Sequence, residues 1–139
     1  MASIESIMTP NPVFVSQHSN INKARMLMAE KKVRHLPVKD ASSGKLIGMV
    51  SQKAVLAHAI KVINQRGFEQ LEHTEKSMDV ASIMDDSPAV FDISTELLPV
   101  AKSLLEQRSG CIAIESEGKL AGVVTSSDFV KLAVQELDN

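Results

Sequence analysis

Hydrophobic positions along this chain alternate between short runs and helically spaced sets, in the same order in both halves. Residues 3–8 read as a short helical lead-in. Pro10 and Pro12 stop it, because proline lacks an N–H and disfavours helix in the residue before it. Val13-Phe14-Val15 reads as a strand. Ser19 or Asn20 caps the next helix, whose Ile21, Ala24, Leu27 and Met28 fall at helical spacing, and Lys31 and Lys32 complement its C-terminus. Residues 35–38 predict a strand, Ser42-Ser43-Gly44 a turn, and residues 46–50 a second strand antiparallel to the first. Ser51 then caps a helix carrying Val55, Leu56, Ala59, Ile60 and Ile63.

The second half follows the same course. Residues 89–91 predict a strand. Residues 96–108 predict a helix with Leu97, Ala101, Leu104 and Leu105 on its apolar face; Pro99 in its first turn loosens or displaces its start. Residues 111–115 and 119–124 form a hairpin around Gly118. The last helix covers residues 126–137. Its Phe129, Val130, Ala133, Val134 and Leu137 share one face, which predicts their burial. The polar, Glu-rich stretch 67–77 reads as an exposed, partly helical connector with nothing that suggests catalysis.

Short motifs repeat along with the elements. Ile7-Met8, a turn with Pro12 and Val13-Phe14-Val15 return as Ile83-Met84, a turn with Pro88 and Ala89-Val90-Phe91. Gly44-Lys45-Leu46-Ile47-Gly48-Met49-Val50-Ser51 returns as Gly118-Lys119-Leu120-Ala121-Gly122-Val123-Val124-Thr125. An internal repeat of this kind implies duplicated architecture. It divides the chain into a first repeat, 1–66, a connector, 67–77, and a second repeat, 78–139. Each repeat is marginal alone by surface-to-volume scaling, so the two are expected to pack into one module.

Composition narrows the function classes. The hydrophobic fraction of 44% and charged fraction of 23% suit a globular chain. Trp and Tyr are absent, which removes the usual base-stacking platforms. No apolar run is long enough to span a membrane, and the N-terminus shows no secretory pattern. The single cysteine, Cys111, cannot form an intramolecular disulfide and fits a reducing, cytoplasmic setting. Residues 1–76 carry 11 Lys+Arg against 6 Asp+Glu, whereas residues 77–139 carry 4 against 11. That asymmetry reads either as two independently solvated surfaces or as a basic half facing an acidic half, within the chain or across a dimer. The basic residues are scattered, which argues against a nucleic-acid footprint.

The two strand-to-helix junctions differ in one respect that bears on chemistry. The second reads Thr125-Ser126-Ser127-Asp128, the first Ser51-Gln52-Lys53-Ala54. The hydroxyl is common to both; the carboxylate is not. Thr125 and Asp128 fit a capping box, a purely structural device worth about 1 kcal/mol. The same geometry suits a nucleotide, since a helix start favours phosphate and a carboxylate there accepts hydrogen bonds from ribose hydroxyls. His18, His35, His58 and His73 lack metal-ligand spacing. Cys111 reads as a buried, inert thiol, Asp85-Asp86 as a turn cap, and Met26, Met28 and Met49 as core filler.

Taken together, the motifs resemble a tandem cystathionine-β-synthase (CBS) domain pair, a Bateman module. The resemblance is carried by Ile7-Met8-Thr9-Pro10 with Ile83-Met84, by Val33-Arg34-His35-Leu36-Pro37-Val38 with residues 109–114, and by the two Gly-apolar-apolar-hydroxyl junctions. It covers nearly the whole chain. It implies an α/β (α+β) fold of two β-α-β-β-α repeats related by a pseudo-two-fold axis, their sheets packed together. It further implies an adenine nucleotide in a cleft between the repeats, with Asp128 on the ribose, Thr125 and Ser127 beside it, Thr9 and Val13 at the adenine, and Arg34 and His35 at phosphate. Two departures qualify this. Ala54 replaces the first repeat's carboxylate, so that cleft is expected to bind weakly or not at all. Gly110-Cys111-Ile112-Ala113 replaces Arg34-His35-Leu36-Pro37, which weakens the expectation of phosphate contacts from that side.

The expectation is therefore a non-enzymatic regulatory module, a homodimer through the helices after Ser51 and Thr125. It takes one adenosyl ligand per chain and signals to a separate effector protein, with no nucleic acid or membrane partner. AMP, ADP, ATP and S-adenosylmethionine are not distinguished. The rival reading is a ligand-free dimeric scaffold of the same fold, in which Thr125 and Asp128 only cap a helix.

Overall fold

The computed structural model describes residues 2–106 and 110–139. In chain order the elements are α1 (Ile4–Ile7), β1 (Thr9–Pro10), β2 (Val15–Ser16), α2 (Ile21–Lys31), β3 (His35–Lys39), β4 (Leu46–Ser51) and α3 (Gln52–Arg66). A 3-10 turn (Phe68–Gln70) leads into α4 (Leu71–Ser77), and another (Val80–Ser82) precedes β5 (Val90–Asp92), α5 (Leu97–Glu106), β6 (Cys111–Ser116), β7 (Lys119–Thr125) and α6 (Ser126–Asp138). The mixed α/β class and the twice-used β-α-β-β-α order match the expectation.

The chain forms two compact units, one of Val13–Ser87, the other of Met1–Pro12 with Pro88–Asn139. In the first, β2 lies parallel to β3 and β3 antiparallel to β4, with Val15 opposite Val38 and Leu36 opposite Val50. The Asn20 side chain caps α2 by accepting from the Lys23 N–H at 2.7 Å, and Ser51 caps α3 through the Ala54 N–H at 3.0 Å. Ile21, Ala24 and Met28 of α2, Val55 of α3 and Val80 close over Val15, Leu36, Val38 and Val50. In the second unit the sheet order is β1-β7-β6-β5, and Ile4, Val100, Ile112, Ile114 and Val124 form its centre.

The repeated Ile-Met and the repeated Gly serve each other, and each pair crosses the sequence halves. β1 runs antiparallel to β7, with Thr9 opposite Val123 and Pro10 opposite Gly122. A Cβ on Gly122 would lie 2.6 Å from Met8 Sδ and 2.8 Å from the Thr9 carbonyl oxygen. In the other unit Asp85 bridges to Met49, and a Cβ on Gly48 would lie 2.6 Å from Met84 Sδ and 2.9 Å from the Asp85 carbonyl oxygen. Each lead-in segment thus docks where only a glycine leaves room. For this reason the compact units do not follow the repeats along the chain.

Several expectations are corrected. The strand expected over 13–15 is displaced to Val15–Ser16, and that over 89–91 to Val90–Asp92. The lead-in helix ends at Ile7, before Pro10 as expected, and Thr9–Pro10 itself forms a strand that the sequence reading lacked. Pro99 is tolerated as the third residue of α5, where an N–H would have no intrahelical acceptor. The expected end of that helix at Arg108, and Ser109 of the matched motif, lie outside the described residues. Leu105 of α5 and Met26 of α2 are exposed rather than buried. On α6, Val130, Ala133, Val134 and Leu137 are exposed as well, Leu137 at 87%, and Phe129 is only partly buried. Helical spacing identifies a common face, but not whether anything in the same chain covers it.

The connector is also more than a polar link. α4 packs with α2 and buries Thr74 and Glu75. The Glu75 carboxylate, 1% exposed, accepts from Arg25 Nη2 at 2.6 Å and Arg25 Nε at 3.0 Å, with Asn22 Nδ2 adding a bond at 3.2 Å. Glu-rich composition suggested a solvated face; one of those glutamates instead anchors the segment.

Candidate functional site

The junction of β7 and α6 brings four of the anticipated residues into one unit. Thr125 is extended, at φ −124°, and α6 starts immediately after it. Asp128 folds back, its Oδ2 accepting from the Thr125 N–H at 2.8 Å and facing the Thr125 hydroxyl at 3.4 Å. The capping box is therefore real, and it holds an acidic group that is only 8% exposed at the positive end of a helix. Among the described residues, the hydrogen bonds to this carboxylate go to Oδ2. Ser127 is exposed on the first turn of α6. Thr9, also exposed, sits opposite Val123, so it lies roughly 7 Å along the strand from Thr125.

Val13, Arg34 and His35 belong to the other unit. Val13 packs partly against its core. His35 pairs in register with Ser51, and the Arg34 carbonyl accepts from the Gln52 N–H at 2.8 Å. The Arg34 and His35 backbone thus flanks the start of α3 just as Cys111 flanks the start of α6, where Cys111 pairs with Thr125. One junction carries a basic pair with Ala54; the other carries Cys111 with Asp128.

Cys111 is 2% exposed. Burial, and secondarily the nearby Asp128 carboxylate, push its thiol from an ordinary 9.0 up to about 12. Native protein should therefore resist iodoacetamide at pH 8, while urea-unfolded protein alkylates readily. The same displacement makes stability fall at alkaline pH. Below 9.0 both states keep the proton; above it the unfolded chain loses the proton while the folded one holds it until about 12. Unfolding free energy measured in urea should drop by about 2 kcal/mol between pH 8 and pH 10.5. Cys111→Ala should remove that component; an identical pH slope in the variant would show that other groups cause it.

Sequence reasoning missed Gly48, Gly122 and the Met8 and Met84 that cover them as the devices positioning Thr9 and Asp85. The signal was present as a Gly repeated three residues before each junction hydroxyl, Ser51 and Thr125, but its partner lies in the other half of the sequence. Among the described residues, no group of three or more His, Cys, Asp or Glu is placed to hold a metal ion, and no helix is long and apolar enough to cross a membrane.

Comparison with known proteins extends the picture. The CBS domain family pattern matches residues 4–61 and 80–135. Among curated proteins, the chain is 28% identical to CBSCBSPB1 of Arabidopsis thaliana over 96% of its own length and 30% of that protein. It is 30% identical to the chloroplastic CBSX2 of the same plant over 96% of its own length and 64% of that protein. The chain therefore spans less than two thirds of these relatives. The crystal structure of CBSX2 superimposes with a TM-score of 0.82 at 31% identity, covering 99% of this chain and 97% of that one. A second crystal structure, of CBSX2 in complex with AMP, gives 0.77 at 30% identity over 97% and 98% of the two chains.

Proposed function

The chain belongs to the CBS domain family, and from that premise we propose that it is a regulatory module that binds an adenine nucleotide and passes occupancy to a separate effector protein. The observation that carries this reading is the nearly buried Asp128 carboxylate at the start of α6, beside Thr125 and on the same unit as Thr9. The AMP complex of CBSX2 supports the ligand class. In this reading Asp128 takes the ribose hydroxyls, with Thr125 and Ser127 alongside. Thr9 and Val13 meet the adenine, and Arg34 and His35 meet phosphate. AMP, ADP or ATP is the regulatory ligand, and no cofactor is needed for chemistry. The module works as a homodimer.

Asp128 has no counterpart in the first repeat, where Ala54 stands, so one nucleotide per chain is expected. Occupancy acts on a partner only by binding two states of the module differently. A ligand that binds the folded state must raise stability, by about 2.7 kcal/mol at a concentration of 100 times its Kd. The test is a calorimetric titration of AMP, ADP, ATP and S-adenosylmethionine into the protein and into Asp128→Ala. Saturable heat near one per chain, lost in the variant while its circular dichroism persists, is the expected result. The variant should also lose about 1 kcal/mol of stability through the missing cap. No heat from any of the four would leave Asp128 as a cap alone and favour the scaffold.

A further inference from the structure

The connector and α2 leave an open groove of about 480 Å³ between them, wholly within the unit Val13–Ser87. Its floor is the pair of Glu75 and Arg25 with Asn22 beside it, and bonds of 2.6, 3.0 and 3.2 Å fix those side chains. The charges of the floor therefore cancel. Half-buried Leu71 adds to the wall, and the exposed Phe68, Glu69 and Glu72 form the rim. Phe68 is 71% exposed, so a large apolar surface stands at the edge of a cavity. The backbone holds it there. Gly67 ends α3 at φ +90°, a conformation that L side chains rarely adopt, and the chain turns at that point into the 3-10 turn that Phe68 opens. The charges left available at the rim are carboxylates. Among the described residues Glu69 is in no ion pair, and Glu72 meets Lys76 at 3.2 Å in an exposed i,i+4 pair that water screens.

We propose that this groove docks a segment of the effector protein in which a Lys or Arg lies beside an apolar side chain. The volume falls within the roughly 300–1,000 Å³ typical of ligand clefts. The apolar side chain covers Phe68 and Leu71 and releases the water over them. Charge complementarity places the cation: Glu69 and Glu72 attract it, and the Phe68 ring offers its face to it. The same two carboxylates repel an acidic segment, because the Arg25 guanidinium is already engaged by Glu75. Since the floor is locked before anything docks, the ordering cost falls on the partner segment alone. The inference rests on the proposed function only in naming the partner as the effector. Docking uses none of the residues assigned to nucleotide and is tested without nucleotide, so either reading can fail while the other stands.

The test screens the full chain against a display library of random dodecapeptides. Fluorescence anisotropy then measures an enriched peptide and a copy in which its basic residue is replaced by Glu. Enriched peptides should carry Lys or Arg next to, or one turn from, Leu, Ile, Met or Phe. Phe68→Ala and Glu69→Lys/Glu72→Lys change exposed side chains and should keep the circular dichroism of wild type, yet each should weaken the basic peptide by about tenfold or more. The Glu-substituted peptide should bind the Glu69→Lys/Glu72→Lys chain more tightly than it binds wild type, which a merely damaged groove would not produce. No enrichment, a consensus without a basic residue, or both variants within about twofold of wild type would each overturn the inference. Loss of self-association in Phe68→Ala by analytical ultracentrifugation would also overturn it, by showing that the groove holds a second copy of this chain.

Discussion

Gly122→Ala is expected to cost about 2–3 kcal/mol of stability, a methyl group being inserted where none fits. The added Cβ would meet Met8 Sδ at 2.6 Å and the Thr9 carbonyl oxygen at 2.8 Å. The thioether can swing aside. The carbonyl cannot, because it belongs to the short strand whose register sets Thr9 opposite Val123 and Pro10 opposite Gly122. Relief therefore comes by lifting β1 off β7, which also loosens α1 and uncovers Ile4. Urea denaturation should show the midpoint falling, with a Tm lower by on the order of 10 °C. Gly48→Ala should behave alike in the other unit, where Met84 and the Asp85 carbonyl occupy the space. If either variant stays within about 0.5 kcal/mol of wild type, the close approach is not what holds the lead-in segments. Because Thr9 travels with β1, Gly122→Ala should also weaken any nucleotide held at Thr125 and Asp128, whereas Gly48→Ala should spare it.

Arg25→Met is expected to cost about 3 kcal/mol, although it removes only an ion pair. Glu75 is 1% exposed, and without the guanidinium its carboxylate keeps, among the described residues, only the Asn22 bond. Removing one member of a buried pair strands the other, a loss of about 3–5 kcal/mol. The lower end applies because the Arg25 side chain is 31% exposed and partly screened by water. Arg25→Met/Glu75→Leu should recover most of the loss, since a buried pair replaced as a whole by apolar groups is often neutral. A double-mutant cycle in urea measures the coupling. Amide exchange over 71–77 should rise in the single variant, because α4 is held against α2 through this pair. Equal losses in the single and double variants would mean that packing, not charge, seats α4.

The site was legible to differing degrees. Thr125 and Asp128 were readable because a hydroxyl and a carboxylate three apart at a strand-to-helix junction obey local geometry, and the structure forms that cap. Cys111 was readable as buried because it lies in an apolar run. Glu75 was not: its burial depends on Arg25, fifty residues away, and nothing local separates it from the exposed Glu72. Met26 and Met28 are neighbours of the same type on one helix, yet only Met28 faces the core. Leu104 and Leu105 show the same ambiguity: Leu104 packs on its unit's core while Leu105 points outward.

By itself the sequence determined what short-range chemistry controls: the order of strands and helices, a cap at Ser19 or Asn20 and another at Ser51, the hairpins, and the duplication that identifies the family. Backbone hydrogen bonding, proline, glycine and side-chain period act over a few residues, so they are written in adjacent letters. Tertiary structure alone decided which lead-in docks on which glycine, that the connector buries Glu75, and that the apolar face of α6 stays exposed. Those outcomes depend on pairs such as Met8 with Gly122 and Arg25 with Glu75, and on which surfaces a folded unit leaves uncovered. Contacts between distant residues are settled by steric fit and desolvation in three dimensions, and no local pattern encodes them.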